Sequence, residues 1–319
     1  MHLASKQKYV VGHMDIATRD GESIRFILYS KNGEPRVVEN YEEFNFLVNL
    51  SQRIRLCIWY IIKESIKHLN FNAFLILAKF LAKKLIGMDV NTERNELLMS
   101  ISGVNYIELH FKKKKLRLCC TAQTLDLIYQ VFIKNQYNVS EKNIKGKTVV
   151  DAGANIGDFS LLCACYGAKK IYAFEPLSKN FEILKGNIEK NGFKNIIVPV
   201  KKGLGAKNFS TEVRVDQDVH FRDTGRIDQI YKTEKIDIVK LDDFLNGEKI
   251  DFLKMDVEGY EENVLLGAAK TIKKYKPVLS FSAYHKSTDK TRLPALVKRI
   301  RNDYSIKLNS FCEEDFYCE

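Results

Sequence analysis

One strand–turn–helix–strand unit constrains the fold of this chain more than any other feature of its sequence. The β-branched residues 148–150 lead into a turn with Gly153 and Gly157, where a helix is expected to begin. A second apolar run, residues 171–174, ends in the lone carboxylate of Glu175. Glycines let the backbone approach a ligand closely, and an acid after the second strand accepts hydrogen bonds from ribose hydroxyls. The unit therefore predicts a site for a nucleoside-containing cofactor.

The residue before the glycine turn favours one such cofactor. A dinucleotide fingerprint would place a glycine where Asp151 stands, and a carboxylate there would repel a pyrophosphate. The same carboxylate suits a ligand with an ammonium group and a positively charged sulfur, which is S-adenosylmethionine. No Gly-Lys-Ser/Thr follows the turn, so a phosphate loop is disfavoured. The alternative is that the glycines only tighten an ordinary strand-to-helix turn.

Further motifs carry a family resemblance. Residues 254–261 read Lys-Met-Asp-Val-Glu-Gly-Tyr-Glu, and residues 264–268 read Val-Leu-Leu-Gly-Ala before Lys276-Pro277. Together with Val-Val-Asp-Ala-Gly-Ala-Asn-Ile-Gly-Asp and Ala-Phe-Glu-Pro, they resemble the FkbM family of S-adenosylmethionine-dependent methyltransferases. The resemblance covers residues 131–310. It implies a Rossmann-like methyltransferase fold and, mostly, O-methylation of hydroxyls on sugars or polyketide-type molecules.

The resemblance also implies a set of cofactor contacts. Asp151 and the 153–157 turn would hold the methionine part, Glu175 the ribose hydroxyls, and the segment around Leu204 would flank the adenine. The residues expected to bind S-adenosylmethionine are Asp151, Gly153, Asn155, Gly157, Glu175, Pro176, Leu204 and Asp256.

Methyl transfer to an alcohol needs a base, because an aliphatic hydroxyl is a poor nucleophile until it loses its proton. Asp256, Glu258 and His285 follow strands whose carboxyl ends should meet at the cofactor edge. We expect His285 or Glu258 to be the base and Asp256 to position the cofactor or the substrate. The alternatives are that Glu258 and Glu261 only favour the start of the next helix, and that His285 is an ordinary strand-end histidine. A divalent metal held by Asp256 and Glu258 is an open alternative, but two carboxylates without a further clear ligand are thin evidence, so no metal site is assigned.

Residues 147–318 alternate between strands and helices, which predicts an α/β, doubly wound, mostly parallel sheet. The family resemblance implies that this is the seven-stranded sheet of the class I methyltransferases. Residues 209–235 are polar and are expected to form an irregular insertion beside the cofactor edge. Helices are expected at residues 159–165, 180–191, 261–275 and 292–302. Strands are expected at residues 147–151, 171–174, 196–201, 251–256, 278–283, 304–308 and 313–318.

The chain is expected to divide into a mixed, largely helical accessory region, residues 1–97, and the methyltransferase domain, residues 98–319. The accessory region should hold a small β-meander within residues 9–38 and amphipathic helices within residues 41–86. Residues 104–111 and 116–119 predict a hairpin whose tip is the four-lysine run 112–115, followed by a helix at residues 125–132.

The charge and composition of this 319-residue chain limit the partners that are expected for it. Of its net charge of +11, +8 lies in residues 1–145, which would attract anionic partners or form a solvated basic surface. Seven cysteines without Cys-x-x-Cys pairing indicate a reducing compartment, and six scattered histidines show no metal-ligand spacing. No signal peptide or membrane span is evident, so a cytoplasmic protein is expected, with residues 41–86 as a candidate peripheral membrane contact.

The leading hypothesis is an O-methyltransferase that uses S-adenosylmethionine to methylate a sugar, a glycan or a related small molecule. The first alternative is an RNA- or nucleotide-modifying methyltransferase. It is disfavoured because no Asn/Asp-Pro-Pro-Tyr signature or basic-aromatic RNA-binding module is present. The second is a non-catalytic cofactor-binding protein at a membrane surface. An NAD-linked oxidoreductase comes last, because its glycine pattern is absent. The sequence does not predict the oligomeric state.

Overall fold

The structure of the chain is a computed structural model. It describes residues 15–17, 23–30, 35–36, 104–119, 121, 124–215, 232–310 and 313–319. By its internal contacts the chain forms two compact units, Met1–Ile133 and Lys134–Glu319. The helices expected within residues 41–86 lie outside the described residues, and the domain boundary after residue 97 stays a prediction.

The amino-terminal unit contains an antiparallel sheet in the order β1-β2-β4-β5, with β3 also paired to β2. The expected hairpin is confirmed as β4 and β5, joined by a tight turn in which Lys112 and Lys113 have left-handed backbone (φ 46° and 60°). Lys115 in its basic tip lies 2.8 Å from Glu108 Oε1. The strands are β1 (Asp15–Ala17), β2 (Ser23–Ser30), β3 (Pro35–Arg36), β4 (Val104–Phe111) and β5 (Lys114–Cys119).

The helix expected at residues 125–132 is not a single α-helix. An α-helical turn, α1 (Thr124–Leu127), continues as a π-helical segment, Ile128–Ile133. The Phe132 ring packs edge-on against Phe111 of β4, with ring centroids 5.8 Å apart. The apolar pattern of so short a segment does not separate the two helix types.

The carboxy-terminal unit is built on the expected seven-stranded sheet, in the order β14-β15-β13-β12-β6-β7-β8. Its strands are β6 (Thr148–Ala152), β7 (Lys170–Phe174), β8 (Ile197–Val200), β12 (Phe252–Met255), β13 (Val278–Ser282), β14 (Ile306–Ser310) and β15 (Glu314–Cys318). Strands β8, β7, β6, β12 and β13 pair in parallel, and β15 is antiparallel to both of its neighbours. This sheet confirms the predicted fold class.

Helices cover the sheet, as the apolar, fully buried strands require. The helices are α2 (Glu141–Ile144), α3 (Asp158–Cys165), α4 (Ser178–Lys190), α5 (Leu241–Leu245), α6 (Glu261–Gly267), α7 (Ala269–Tyr275) and α8 (Asp289–Ile300). Every residue of α3 is buried, so this helix lies in the core.

The prediction of a single helix at residues 261–275 is wrong, because the helix breaks at Ala268 into α6 and α7. A Cβ on Gly267 would lie 2.0 Å from the carbonyl oxygen of Gly205, so the chain passes that point without a side chain.

The insertion expected to be irregular is partly ordered. Strand β10 (Phe209–Val215) pairs antiparallel with β11 (Lys232–Val239), and the end of β11 pairs in parallel with β9 (Gly203–Leu204). Most side chains of β10 are exposed and only Val213 is buried, so the segment lacks the apolar content that marks the core strands. Residues 216–231, between the two long strands, lie outside the described residues.

The sheet register sets the position of the site. Ala152 of β6 pairs with Phe174 of β7 and with Met255 of β12, and Met255 pairs with Phe281 of β13. The carboxyl ends of these four parallel strands therefore meet at one edge.

In the described part of the chain, no helix is long and apolar enough to cross a membrane.

Candidate active site

The glycine turn after β6 is held against two neighbouring strands. Gly153 and Ala154 donate their backbone N–H groups to the carbonyl oxygen of Phe174, at 3.0 and 2.8 Å. Gly153 has φ +76°, and a Cβ there would lie 1.9 Å from the backbone oxygen of Asp256. Only glycine satisfies both the positive φ and this close approach. The turn is thus a backbone surface kept free of side chains at the expected cofactor edge.

Gly157 ends this turn and begins the buried helix α3. It has φ +91°, and a Cβ there would lie 2.6 Å from Leu184 Cδ1 of α4. Asn155, between the two glycines, also has left-handed backbone with φ 49°. The spacing of the two glycines in the sequence therefore reflects a backbone conformation and the packing of α3 against α4.

The Asp151 carboxylate lies beneath the turn and is already paired. Lys254 Nζ lies 3.1 Å from Asp151 Oδ1, and the two side chains are 5% and 0% exposed. The Ser160 hydroxyl donates to Asp151 Oδ2 at 2.7 Å, and Lys254 Nζ donates to the carbonyl oxygen of Gly153 at 2.8 Å. Burial lowers the pKa of Lys254, but the carboxylates of Asp151, Asp256 and Asp158 outweigh burial and raise it overall. Asp151, predicted to hold the methionine part, is therefore inside the protein and neutralised by a lysine.

Glu175 is placed where the sequence predicts it, directly after β7. Its Oε2 accepts from the Asn155 N–H and its Oε1 from the Leu177 N–H, both at 2.9 Å. Burial raises the pKa of Glu175 to about 7, against the two backbone N–H groups, which favour the charged form. These bonds fix the carboxylate beside the glycine turn.

Pro176 and Leu204 are also expected to bind the cofactor, and both lie at the 203–205 segment. Pro176 contacts the position that a Cβ on Gly203 would take, at 3.8 Å. Leu204 is buried in the main hydrophobic core together with Phe174 and Val264. The 203–205 segment is therefore at the expected edge, while the Leu204 side chain itself packs inward.

The three expected catalytic residues come together with Glu261 in an acid–imidazole cluster. His285 Nε2 lies 3.4 Å from Glu258 Oε2 and 3.9 Å from Asp256 Oδ1, and His285 Nδ1 lies 3.3 Å from Glu261 Oε1. Glu258, with left-handed backbone (φ 54°), is the most exposed member at 44% of its side chain. The fold thus gathers residues from the ends of β12 and β13 and the start of α6.

The carboxylates of the cluster change the charge expected on His285. Burial lowers the pKa of His285, but the surrounding carboxylates of Glu258, Glu261 and Asp256 raise it to about 10. Both ring nitrogens face carboxylate oxygens, so the imidazole acts as the cationic partner of these acids. The pKa of His285 is therefore far from the ordinary histidine value of 6.5, which would suit a base at neutral pH.

Tyr137 belongs to the site although the sequence analysis assigned it no role. Its phenol donates to Asp256 Oδ2 at 2.9 Å, and its ring packs edge-on against Phe159 of α3, with centroids 5.3 Å apart. Lys254 Nζ lies 5.2 Å from the centroid of the same ring. Tyr137 thereby connects the Asp151–Lys254 pair with the acid–imidazole cluster.

Glu261 and Lys254 were also missed as site residues, although both belong to the block that carries the family resemblance. Glu261 Oε1 accepts from the backbone N–H groups of Val257 and Gly259, at 3.1 and 3.3 Å. Glu261 therefore shapes the 257–259 turn that presents Glu258. The spacing of the block was the available signal, but it does not say which side chains turn inward.

Comparisons with known proteins place these residues in a family. Residues 151–304 match the family described as the methyltransferase FkbM domain. The protein arginine N-methyltransferase 1 of Oryza sativa subsp. indica is 39% identical over 71 residues, and the match spans 21% of this chain and 18% of the rice protein. The same protein of Oryza sativa subsp. japonica gives the same figures.

Solved structures of methyltransferases are similar to this chain over more than half of its length. Methyltransferase FkbM from Methylobacillus flagellatus has 25% sequence identity and a TM-score of 0.43, over 62% of this chain and 54% of that one. An rRNA methylase from Streptococcus thermophilus has 14% identity and a TM-score of 0.38, over 58% of this chain and 93% of that one. By the family match alone, residues 151–304, which contain the glycine turn, the Asp151–Lys254 pair and the acid–imidazole cluster, belong to the methyltransferase FkbM family.

Proposed function

We propose that the chain is an S-adenosylmethionine-dependent O-methyltransferase whose acceptor is a hydroxyl of a sugar, a glycan or a related small molecule. The single observation that carries the proposal is the meeting of two groups at one sheet edge. The first is the glycine turn with Glu175, and the second is the acid–imidazole cluster with Tyr137. The backbone of the first group touches the second, because Gly153 and the Asp256 carbonyl are in close contact.

The first group suits the donor. Glu175 is fixed by the Asn155 and Leu177 N–H groups and would accept hydrogen bonds from the ribose hydroxyls. Gly153 lets the turn pack directly against the Asp256 carbonyl, and the turn would present its backbone to the methionine part. Asp151 acts through Lys254, which holds the carbonyl oxygen of Gly153, rather than by touching the donor.

The second group suits the acceptor. S-adenosylmethionine supplies a methyl group on a positively charged sulfur, and transfer to an alcohol yields a methyl ether and S-adenosylhomocysteine. The chain must orient the acceptor oxygen in line with that methyl group and take up the hydroxyl proton. Glu258 is the expected base, because it is the most exposed carboxylate of the cluster, whereas both nitrogens of His285 already face acids. Asp256, oriented by the Tyr137 phenol, positions the acceptor.

Donor binding is tested by calorimetric titration of the full chain with S-adenosylmethionine, S-adenosylhomocysteine and NAD. We expect micromolar binding of the first two and none of NAD. Glu175→Ala should weaken donor binding at least tenfold, since hydrogen bonds to a charged group contribute about 1.5–3 kcal/mol each. Glu182→Ala is the matched control: this glutamate lies on α4 with an exposed side chain, and its loss should leave binding unchanged.

The acceptor is tested with a labelled donor and a panel of glycans, sugars and small polyols, with total RNA as the comparison. Label in a glycan or sugar would support the proposal. Salt-sensitive retention of RNA together with labelled RNA would support the RNA-modifying alternative instead. Donor binding without transfer to any acceptor would support a non-catalytic cofactor-binding protein.

A further inference from the structure

Three members of the acid–imidazole cluster form a group with the geometry of metal ligands. Asp256 follows β12, Glu261 begins α6, and His285 follows β13. One potential ligand atom from each lies within 4.8 Å of the other two. The sequence alone offered only the neighbouring carboxylates Asp256 and Glu258; the fold supplies an imidazole and a second, buried carboxylate.

The burial of this group separates it from acidic residues gathered on a surface. The Glu261 side chain is 1% exposed, that of His285 12% and that of Asp256 24%. A buried carboxylate requires a cation or several hydrogen-bond donors. Oε1 of Glu261 accepts from two backbone N–H groups, and among the residues that the structure describes the ion-pair partner shown for Glu261 is His285.

One ring nitrogen of His285 lacks a hydrogen bond. Its Nδ1 is buried and has no hydrogen-bond partner, although Glu261 Oε1 is only 3.3 Å away. The two atoms are close, but they are not aligned for a hydrogen bond. A metal ion there would displace a proton from the imidazole, and it would then accept electron pairs from the ring nitrogen and from the carboxylates that face it.

We propose that Asp256, Glu261 and His285 bind one divalent transition-metal ion. Two carboxylates and one imidazole suit Mn²⁺ or Zn²⁺ better than Ca²⁺, which takes six to eight oxygen ligands, or Mg²⁺, which prefers oxygen. Three protein ligands leave at least one coordination position open, as in catalytic metal sites.

The residues around the three ligands hold them as the surroundings of a metal site would. The Tyr137 phenol donates to Asp256 Oδ2 at 2.9 Å, and the Val257 and Gly259 N–H groups hold Glu261 Oε1. Hydrogen bonds of this kind hold the ligating side chains of a metal site in the orientation that the ion requires. An acceptor hydroxyl at the open position would be more acidic, which would assist methyl transfer; this last step alone rests on the proposed function.

The test is equilibrium dialysis of the full chain, freed of metal with a chelator, against Mn²⁺ and Zn²⁺, with Mg²⁺ and Ca²⁺ as comparisons. We expect one Mn²⁺ or Zn²⁺ ion per chain, bound more tightly than Mg²⁺ or Ca²⁺. Glu261→Gln should reduce Mn²⁺ affinity at least about tenfold, because it removes a direct ligand. Glu262→Gln is the matched control, since this neighbouring carboxylate pairs instead with Arg292, at 3.0 Å.

Absence of stoichiometric Mn²⁺ or Zn²⁺ binding would overturn the proposal, as would equal affinity in Glu261→Gln and the wild type. If Glu261→Gln does not fold, Asp256→Asn replaces it under the same criterion. Calorimetry with S-adenosylhomocysteine on the same metal-free samples separates the two proposals. A chain that binds S-adenosylhomocysteine but neither Mn²⁺ nor Zn²⁺ would overturn the metal site alone, and a chain that binds the metal but not S-adenosylhomocysteine would overturn the proposed function alone.

Discussion

Lys254 and Asp151 form a buried ion pair across neighbouring strands, with 3.1 Å between Nζ and Oδ1. The two residues are register partners in the pairing of β12 with β6. Because Lys254 also donates to the Gly153 carbonyl, the pair links the core of the sheet to the turn expected to receive the donor. The lysine of the family block therefore has a structural partner in the glycine motif.

Replacing Lys254 with methionine should destabilise the protein strongly. Methionine fills a similar volume but leaves the Asp151 carboxylate buried without its cation. Removing one partner of a buried ion pair costs about 3–5 kcal/mol. The free energy of unfolding, measured by urea denaturation, should fall by that amount.

Two further variants make this prediction specific. Lys249→Met removes an exposed partner of Asp251 (3.0 Å) and should cost less than about 1 kcal/mol. Adding Asp151→Asn to Lys254→Met removes the unpaired charge and should recover part of the lost stability. If the single Lys254 variant is as stable as the Lys249 variant, the buried pair does not have the proposed structural role.

Gly153→Ala should abolish donor binding, because the added methyl group would lie 1.9 Å from the Asp256 carbonyl oxygen. Both the turn and the strand end would have to move. Gly146→Ala is the control: Gly146 has a similar φ of +70°, but a Cβ there meets nothing within 4 Å. The control variant should lose only about 1 kcal/mol of unfolding free energy and keep its affinity for S-adenosylhomocysteine, measured by calorimetry. Retained affinity in Gly153→Ala would show that the turn does not receive the donor.

The sheet was predictable from the sequence because its signals are local. Fully buried parallel strands read as short apolar runs, and Asp151, Glu175 and Asp256 each follow or end such a run. The rule that the carboxyl ends of parallel strands meet at one edge then brings Glu175 and Asp256 to the site. The fold class and the positions of the strands therefore needed no information about side-chain contacts.

The contacts within the site were not predictable, because they depend on register and on close backbone approaches. Nothing local shows that Lys254 faces Asp151 rather than solvent, or that the Tyr137 phenol reaches Asp256. The break at Ala268 likewise follows from the contact of Gly267 with the distant Gly205 carbonyl. These features arise only when segments far apart in the chain are packed together.

Donor affinity should rise with pH, because ribose hydroxyls donate to the charged form of Glu175. Burial raises the pKa of this carboxyl from 4.5 to about 7. The folded protein favours the neutral form of Glu175. The stability that this carboxyl gives to the fold is therefore full below pH 4.5 and is lost as the pH rises through about 7. Donor binding has the opposite sign, and the affinity for S-adenosylhomocysteine should increase about tenfold from pH 6 to pH 8. Calorimetry across this range measures the slope.

Glu175→Gln provides the control for the pH dependence, since glutamine does not ionise. The affinity of this variant for S-adenosylhomocysteine should be weaker than that of the wild type and should not change between pH 6 and pH 8. Burial also raises the pKa of Asp158 to about 7, so this second carboxyl could give a similar profile. A slope that persists in Glu175→Gln would therefore assign the effect to a group other than Glu175.

Tyr137→Phe should slow methyl transfer without loss of donor binding. The variant keeps the ring that packs against Phe159 but removes the phenol that donates to Asp256 Oδ2. A hydrogen bond to a charged acceptor contributes about 1.5–3 kcal/mol, so kcat should fall roughly tenfold to hundredfold. The measurement is kcat with the acceptor that the labelled-donor panel identifies, alongside calorimetry with S-adenosylhomocysteine. Tyr172→Phe is the control, because its phenol donates to Glu248 (2.6 Å) and that pair contacts none of the cluster residues. An equal loss of kcat in both variants would indicate a general effect on the fold, whereas a loss confined to Tyr137→Phe would place the phenol in the positioning of Asp256.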